Sequence, residues 1–120
     1  MPGKFCVCLT SAKDNCDRAT VAFVVANAAA ASDKETMVFL SIEGVRLATK
    51  GYADDIHEAG FSPLKDLINS FVEAGGKIFV CSPCFKKRGL NEVDLISGVT
   101  VVGGAKLVEF LGDGSPSVSY

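Results

Sequence analysis

Apolar residues run along this chain in short uninterrupted blocks set between polar breaks. Phe5 to Leu9 (FCVCL), Met37 to Ile42 (MVFLSI), Lys77 to Cys81 (KIFVC) and Val99 to Val102 (VTVV) are four such blocks. Continuous rather than alternating apolarity predicts strands covered on both faces, as in a parallel sheet. Between the first two blocks lies a helical stretch, Asp17 to Ala31, with Asp14 or Asn15 placed to cap it. It is apolar almost all round, the mark of a helix buried on more than one side. A second helix follows Ser62 as cap and Pro63 as first position. Leu64, Leu67, Ile68, Phe71 and Val72 give it one apolar face, and Gly75-Gly76 ends it. Shorter helices are expected at Val45 to Lys50, after Asn91 with Leu90 and Leu95 as a staple, and at Ala105 to Leu111. Ser117 to Tyr120 is expected to add a short fifth strand, and Gly51 to Phe61 has no regular pattern.

Strands alternating with helices imply βαβ crossovers and a layered α/β fold. The 120 residues fit one domain, 1–120, with no internal repeat or linker. A net charge of -2 argues against nucleic acid as a partner, because phosphate binding usually needs a basic surface. The run Lys86 to Arg88 is too short to reverse that, and a solvated loop is its plainer reading. The longest apolar stretch, Ala19 to Ala31, is too short to span a bilayer, and no signal peptide is visible, so no membrane is expected. The five cysteines are odd in number, and two lie inside an apolar strand. That is unlike a secreted disulfide framework and predicts a reducing, cytoplasmic setting.

Candidate chemistry centres on Lys77 to Gly89 (KIFVCSPCFKKRG). Cys81 ends a strand, Ser82 and Pro83 suit the cap and first position of a new helix, and Cys84 falls in its first turn. Lys86, Lys87 and Arg88 follow. A helix N-terminus and nearby cations both stabilise a thiolate, so Cys81 is expected to have a lowered pKa and to be the most reactive thiol. The competing reading is a buried, inert cysteine. In an open parallel sheet, chemistry collects at the carboxyl ends of the strands. That edge carries Thr10 to Cys16, Glu43 with Arg46, and Cys81 to Arg88, so Cys16 is expected near Cys81 and Cys84.

The CxxC of Cys81 and Cys84 reads either as a dithiol redox pair or as half of a zinc site. Zinc would need two further ligands, and only Cys16 is credibly placed, so no tightly bound metal is expected. Cys6 and Cys8 share one side of a strand and read as small core hydrophobes. His57, among acidic residues in the irregular stretch, reads as a surface histidine. Gly103-Gly104 lacks the rest of a nucleotide-binding fingerprint and reads as a turn, so no cofactor is expected.

The string VCSPCFKKRGL, with Arg88-Gly89 following Cys81, resembles the cysteine motif of the DsrE/DsrF-like family. Glu43-Gly44-Val45, the segment Leu90 to Leu95 and GVTVVGGAKLVEFL are also similar to that family. The resemblance implies a three-layer α/β/α sandwich around a mostly parallel sheet of about five strands. It implies assembly into homotrimers or homohexamers, and intracellular sulfur relay through a cysteine persulfide. The sulfur-carrying position falls on Cys81. Cys84 occurs in only some relatives of this kind, so the resemblance gives it no role.

The resulting expectation is a sulfur carrier or sulfurtransferase that exchanges sulfane sulfur with donor and acceptor proteins. Lys86, Lys87 or Arg88 would steady the Cys81 thiolate, and Cys84 or Cys16 would resolve the persulfide. Two alternatives stand beside it: a dithiol redox protein cycling Cys81 and Cys84, and a non-catalytic oligomeric module that binds a ligand or metal at the same edge. The apolar girth of the first helix independently predicts a homo-oligomer.

Overall fold

Each uninterrupted apolar block folds as a strand in the computed structural model, which describes residues 3–120. The strands are β1 (Lys4–Leu9), β2 (Glu35–Leu40), β3 (Lys77–Cys81), β4 (Val99–Val102) and β5 (Ser117–Ser119). All pair in parallel, in the order β4-β3-β2-β1-β5. The helices are α1 (Cys16–Ala31), α2 (Leu64–Glu73), α3 (Ser82–Lys87) and α4 (Gly104–Leu111). From β1 to β4 the chain steps across the sheet in one direction, and right-handed crossovers put α1, α2 and α3 on one face. The step from β4 to β5 runs back across the whole sheet and puts α4 on the other. The result is the expected three-layer α/β/α architecture. Among the described residues no helix is long and apolar enough to cross a membrane.

The side chains divide by the strand period of two. Val7, Leu9, Val38, Leu40, Ile78 and Val80 form a large aliphatic cluster under α1 and α2. There Phe23 meets Phe71 edge to face, with ring centroids 6.0 Å apart. The α4 face carries a smaller cluster of Cys6, Met37, Phe39, Phe79 and Phe110. The Asn27 amide ties α1 to α2 by donating to the Phe23 and Leu67 carbonyls at 2.8 and 2.9 Å. Within the chain, however, α1 is covered on one side only. Val24 is 36% exposed and Ala28 and Ala31 are exposed, so the expected second covering is not supplied by this chain's own fold.

Several boundaries differ from expectation for local reasons. β2 runs two residues earlier than Met37 to Ile42, because polar Glu35 pairs with Lys4 at the start of the ladder. It stops before Ile42, whose φ of 56° leaves the extended region. A 3-10 segment, Ile42–Ala48, replaces the expected helix from Val45 to Lys50. Gly44 lets that segment lie against β1, since a Cβ there would run into the Leu9 carbonyl. Asn15 is the cap of α1, its side chain accepting from the Arg18 amide. Pro63, not Ser62, holds the cap position of α2.

Candidate functional site

The carboxyl edge of the sheet gathers the ends of β1, β2 and β3. Cys81 is the last residue of β3 and itself the cap position of α3, one residue earlier than the cap expected at Ser82. Ser82 and Pro83 open α3, where the missing proline N–H is no loss because the first amides of a helix lack intrahelical partners. Phe85 is buried and anchors this six-residue helix to the aliphatic cluster. Cys81 and Cys84 are both half-buried. Cys84 packs on the aliphatic cluster, whereas Cys81 touches the clusters of both faces.

Glu43, just past β2, is the electrostatic hub of the edge. Arg88 Nε donates to Glu43 Oε2 at 2.6 Å and Arg46 Nε donates to Glu43 Oε1 at 2.9 Å. Arg88 Nη1 also donates to the Cys84 carbonyl at 3.2 Å, and its side chain is only 12% exposed. Hydrogen bonds from Arg88, and then from Arg46, hold the Glu43 carboxyl below its ordinary pKa. The Arg88 charge is therefore engaged by Glu43. Its geometric effect is to fasten the end of α3 to the turn after β2.

This arrangement overturns the expected lowering of the Cys81 pKa. Burial pushes the Cys81 thiol up, the Cys84 backbone N–H works against that, and the Cys84 thiol adds to the rise. No lysine or arginine contributes. Lys86 and Lys87 are in the last turn of α3, at the far end from the sulfur, and both are exposed. They are near Cys81 in sequence and not in the field it feels.

Cys16 is half-buried at the start of α1, and the structure does not join it to the Cys81–Cys84 pair. The groups acting on it are Lys13, Asp14, Asp55 and Glu58, and burial with those acids raises its pKa. His57 is exposed, with its Nε2 2.8 Å from the Phe61 carbonyl. Cys6 and Cys8 share the α4 face with their sulfurs 3.9 Å apart. That contact, with help from the Ser119 hydroxyl, lowers the Cys8 pKa to about 7 and raises that of Cys6.

Sequence reasoning missed Ile42. It is 50% exposed, and the register Leu40↔Val80 sets it at the same edge as the α3 start. A β-branched residue with positive φ is strained, and such strain clusters at functional sites. Nothing in an isoleucine at a strand end signals this in advance. An open groove of about 410 Å³ beside α3 is lined by Ser82, Phe85, Lys86, Leu90 and Asn91.

The sequence profile of the DsrE/DsrF-like family matches residues 3–118. The chain is 31% identical over 117 residues to the uncharacterized protein MJ0989 of Methanocaldococcus jannaschii, covering 98% of this chain and 99% of that one. It is 33% identical over 95 residues to the uncharacterized protein MK0008 of Methanopyrus kandleri, covering 79% and 75%. The uncharacterized protein MJ0760 of M. jannaschii is 30% identical over 102 residues, 85% of this chain, and the chain spans 37% of that protein's length. Among solved structures, the YchN protein from E. coli superposes with a TM-score of 0.82 at 15% identity, covering 100% of both chains. A protein of unknown function, MTH1491 from Methanobacterium thermoautotrophicum, gives 0.69 at 16% identity, again over 100% of both. At such identities the likeness is one of fold.

Proposed function

This chain belongs to the DsrE/DsrF-like family, which points in general to sulfur relay, and on that premise we propose that it carries sulfane sulfur as a persulfide on Cys81. The observation that carries the proposal is Cys81's place at the carboxyl end of β3, half-buried, with Cys84 close enough to act on it. In the loading step the Cys81 thiolate attacks the outer sulfur of a donor persulfide. The donor's S–S bond breaks, and the donor leaves as a thiolate. In the unloading step an acceptor thiolate attacks the same outer sulfur, and Cys81 leaves as a thiolate. Alternatively, Cys84 attacks the inner Cys81 sulfur. That forms the Cys81–Cys84 disulfide and releases hydrosulfide, so the two thiols are oxidised as the sulfane sulfur is reduced.

Arg88 acts in this reading as a positioning residue, through Glu43 and the Cys84 carbonyl. Lys86 and Lys87 serve the approach of a partner along the groove beside α3. The donor and acceptor are proteins that present thiols, in a reducing cytoplasm. The exposed apolar side of α1 is covered by further copies of the chain in a homotrimer or homohexamer, and sedimentation as a monomer at micromolar concentration would contradict that assembly.

Intact mass after incubation with a persulfide donor tests the relay. A gain of one sulfur atom, lost in Cys81→Ser, supports it. A loss of two hydrogens instead supports dithiol cycling, a second reading favoured by the placing of Cys84 in the first turn of the helix that Cys81 caps. Because the Cys81 pKa is raised, the thiolate is the minor form at neutral pH. The loading rate is therefore expected to climb through and above the ordinary cysteine range, and a flat profile would place the attacking sulfur elsewhere.

A further inference from the structure

A second set of sulfur side chains lies on the α4 face, away from the α3 turn. Cys6 and Cys8 are two residues apart on β1, so both leave the strand on the same side. Their sulfurs are 3.9 Å apart. Met37 is the register partner of Cys6 on β2, and both are fully buried in the same cluster. Three sulfur side chains thus share one patch, walled by Phe39, Phe79 and Phe110. A disulfide is a poor use of the thiol pair. Alternate residues of a strand stand about 6.6–6.8 Å apart at Cα, at the outer limit for bridging.

From this geometry we infer that Cys6, Cys8 and Met37 form a binding site for a soft monovalent cation of the copper(I) class. With metal–sulfur bonds of about 2.3 Å, two sulfurs 3.9 Å apart subtend about 116° at the ion, close to a trigonal angle that leaves a third position for Met37. Thiolate and thioether together select copper(I). Zinc is a poorer match because it takes four ligands, and among the described residues no three His, Cys, Asp or Glu side chains converge. Binding breaks two S–H bonds, forms two copper–thiolate bonds and releases two protons to solvent, with copper remaining in its +1 state. The complex carries one net negative charge. Lys106 Nζ over the Phe79 ring, at 5.3 Å, and Lys4 Nζ over the Phe110 ring, at 4.8 Å, border the same patch, each already paired with a carboxylate, Glu109 and Asp113 respectively. Entry is through Cys8, the half-buried member, beside the three-residue edge strand β5.

The site is independent of the sulfur relay, and its test removes the relay cysteines. Reduced full-length protein carrying Cys81→Ser and Cys84→Ser is titrated without oxygen with copper(I), supplied as its acetonitrile complex, against a colorimetric copper(I) chelator. One equivalent should be retained, with an ultraviolet thiolate-to-copper band, and peptide mapping should show Cys8 protected from alkylation. Met37→Leu should weaken retention on the order of tenfold. Adding Cys6→Ala and Cys8→Ala should abolish it, with circular dichroism confirming the fold. Failure of the Cys81/Cys84 variant to retain copper would overturn the site, as would undiminished retention without Cys6 and Cys8. If that last variant does not fold, the alkylation map decides alone: a Cys8 that labels equally fast with copper bound refutes the site.

Discussion

Toward α1 and α2 the sheet presents Val7, Leu9, Val38, Leu40, Ile78 and Val80; toward α4 it presents Cys6, Cys8, Met37, Phe39, Phe79 and Cys81. The same strands supply both sets from alternating positions. The first face is aliphatic and sealed by two long helices that bring Phe23 and Phe71 with them. The second is sulfur-rich and aromatic, and its cover is one helix of eight residues. Full cover leaves no strand-borne thiol on the first face, where Cys16 and Cys84 pack from the helices. Thin cover leaves Cys8 and Cys81 half-buried on the second. The aliphatic bulk is thereby assigned to one side of the sheet and the strand-borne thiols to the other, and the division depends on register: a slip of one residue would exchange the two sets.

The largest test of that division is Phe23→Ala, expected to cost about 3–5 kcal/mol in urea denaturation because the ring is fully buried between α1, α2 and the sheet. Phe110→Ala, on the thin side, should cost less. Equal losses would mean that both faces carry stability alike. Next comes the edge where the faces meet. Arg88→Ala frees the end of α3 from Glu43, so amide exchange in α3 should quicken, and Cys81 and Cys84 should alkylate faster. Lys86→Ala and Lys87→Ala should change neither rate. A drop in Cys81 reactivity on removing either lysine would restore a direct electrostatic role for the cations.

A smaller effect follows from the depressed Glu43 pKa. A carboxyl whose folded pKa lies below its unfolded value adds stability above the unfolded pKa, and that stability is lost as pH falls through the folded one. Wild type should therefore be more stable than Glu43→Gln at pH 7. The advantage should shrink below the ordinary carboxylate range, and an advantage that grew on acidification would contradict the pairing. The smallest expected change is Ile42→Gly. Relief of the left-handed strain, about 1–3 kcal/mol, is largely offset by the added freedom of the unfolded glycine. Thermal denaturation should show a net gain of at most about 1 kcal/mol, by the same balance. A clear loss would mean that the half-exposed side chain is held by contacts that stabilise this edge.

The strands were legible because a parallel sheet covered on both faces writes itself as unbroken apolar blocks. The edge was legible as topology, since loops after β1, β2 and β3 must share one side. Its pairing was not, because Glu43 and Arg88 are 45 residues apart and no local pattern joins them. The field at Cys81 was misread for the opposite reason. Lys86 and Lys87 are close in sequence, but a helical turn carries them to the wrong end of α3. The early end of β2 was hidden because Ile42 is a good strand residue held in a conformation that strand residues avoid. Cys6 and Cys8 were correctly placed on one side, yet counting them as small hydrophobes concealed the contact between their sulfurs.

The position of β5 also has a consequence for the order in which this chain matures. Its partner is β1, and the Thr10 hydroxyl and amide bond to the Tyr120 carbonyl across 110 residues. Every other ladder joins strands linked by a single crossover. During vectorial synthesis the run from β1 to β4 can pair while α4 and β5 are still being made. Distant contacts carry a loop-closure cost and form late. Until they do, the open edge of β1 and the thiols of Cys6 and Cys8 face solvent. The side of the sheet that carries the sulfur atoms is thus the side the nascent chain closes last.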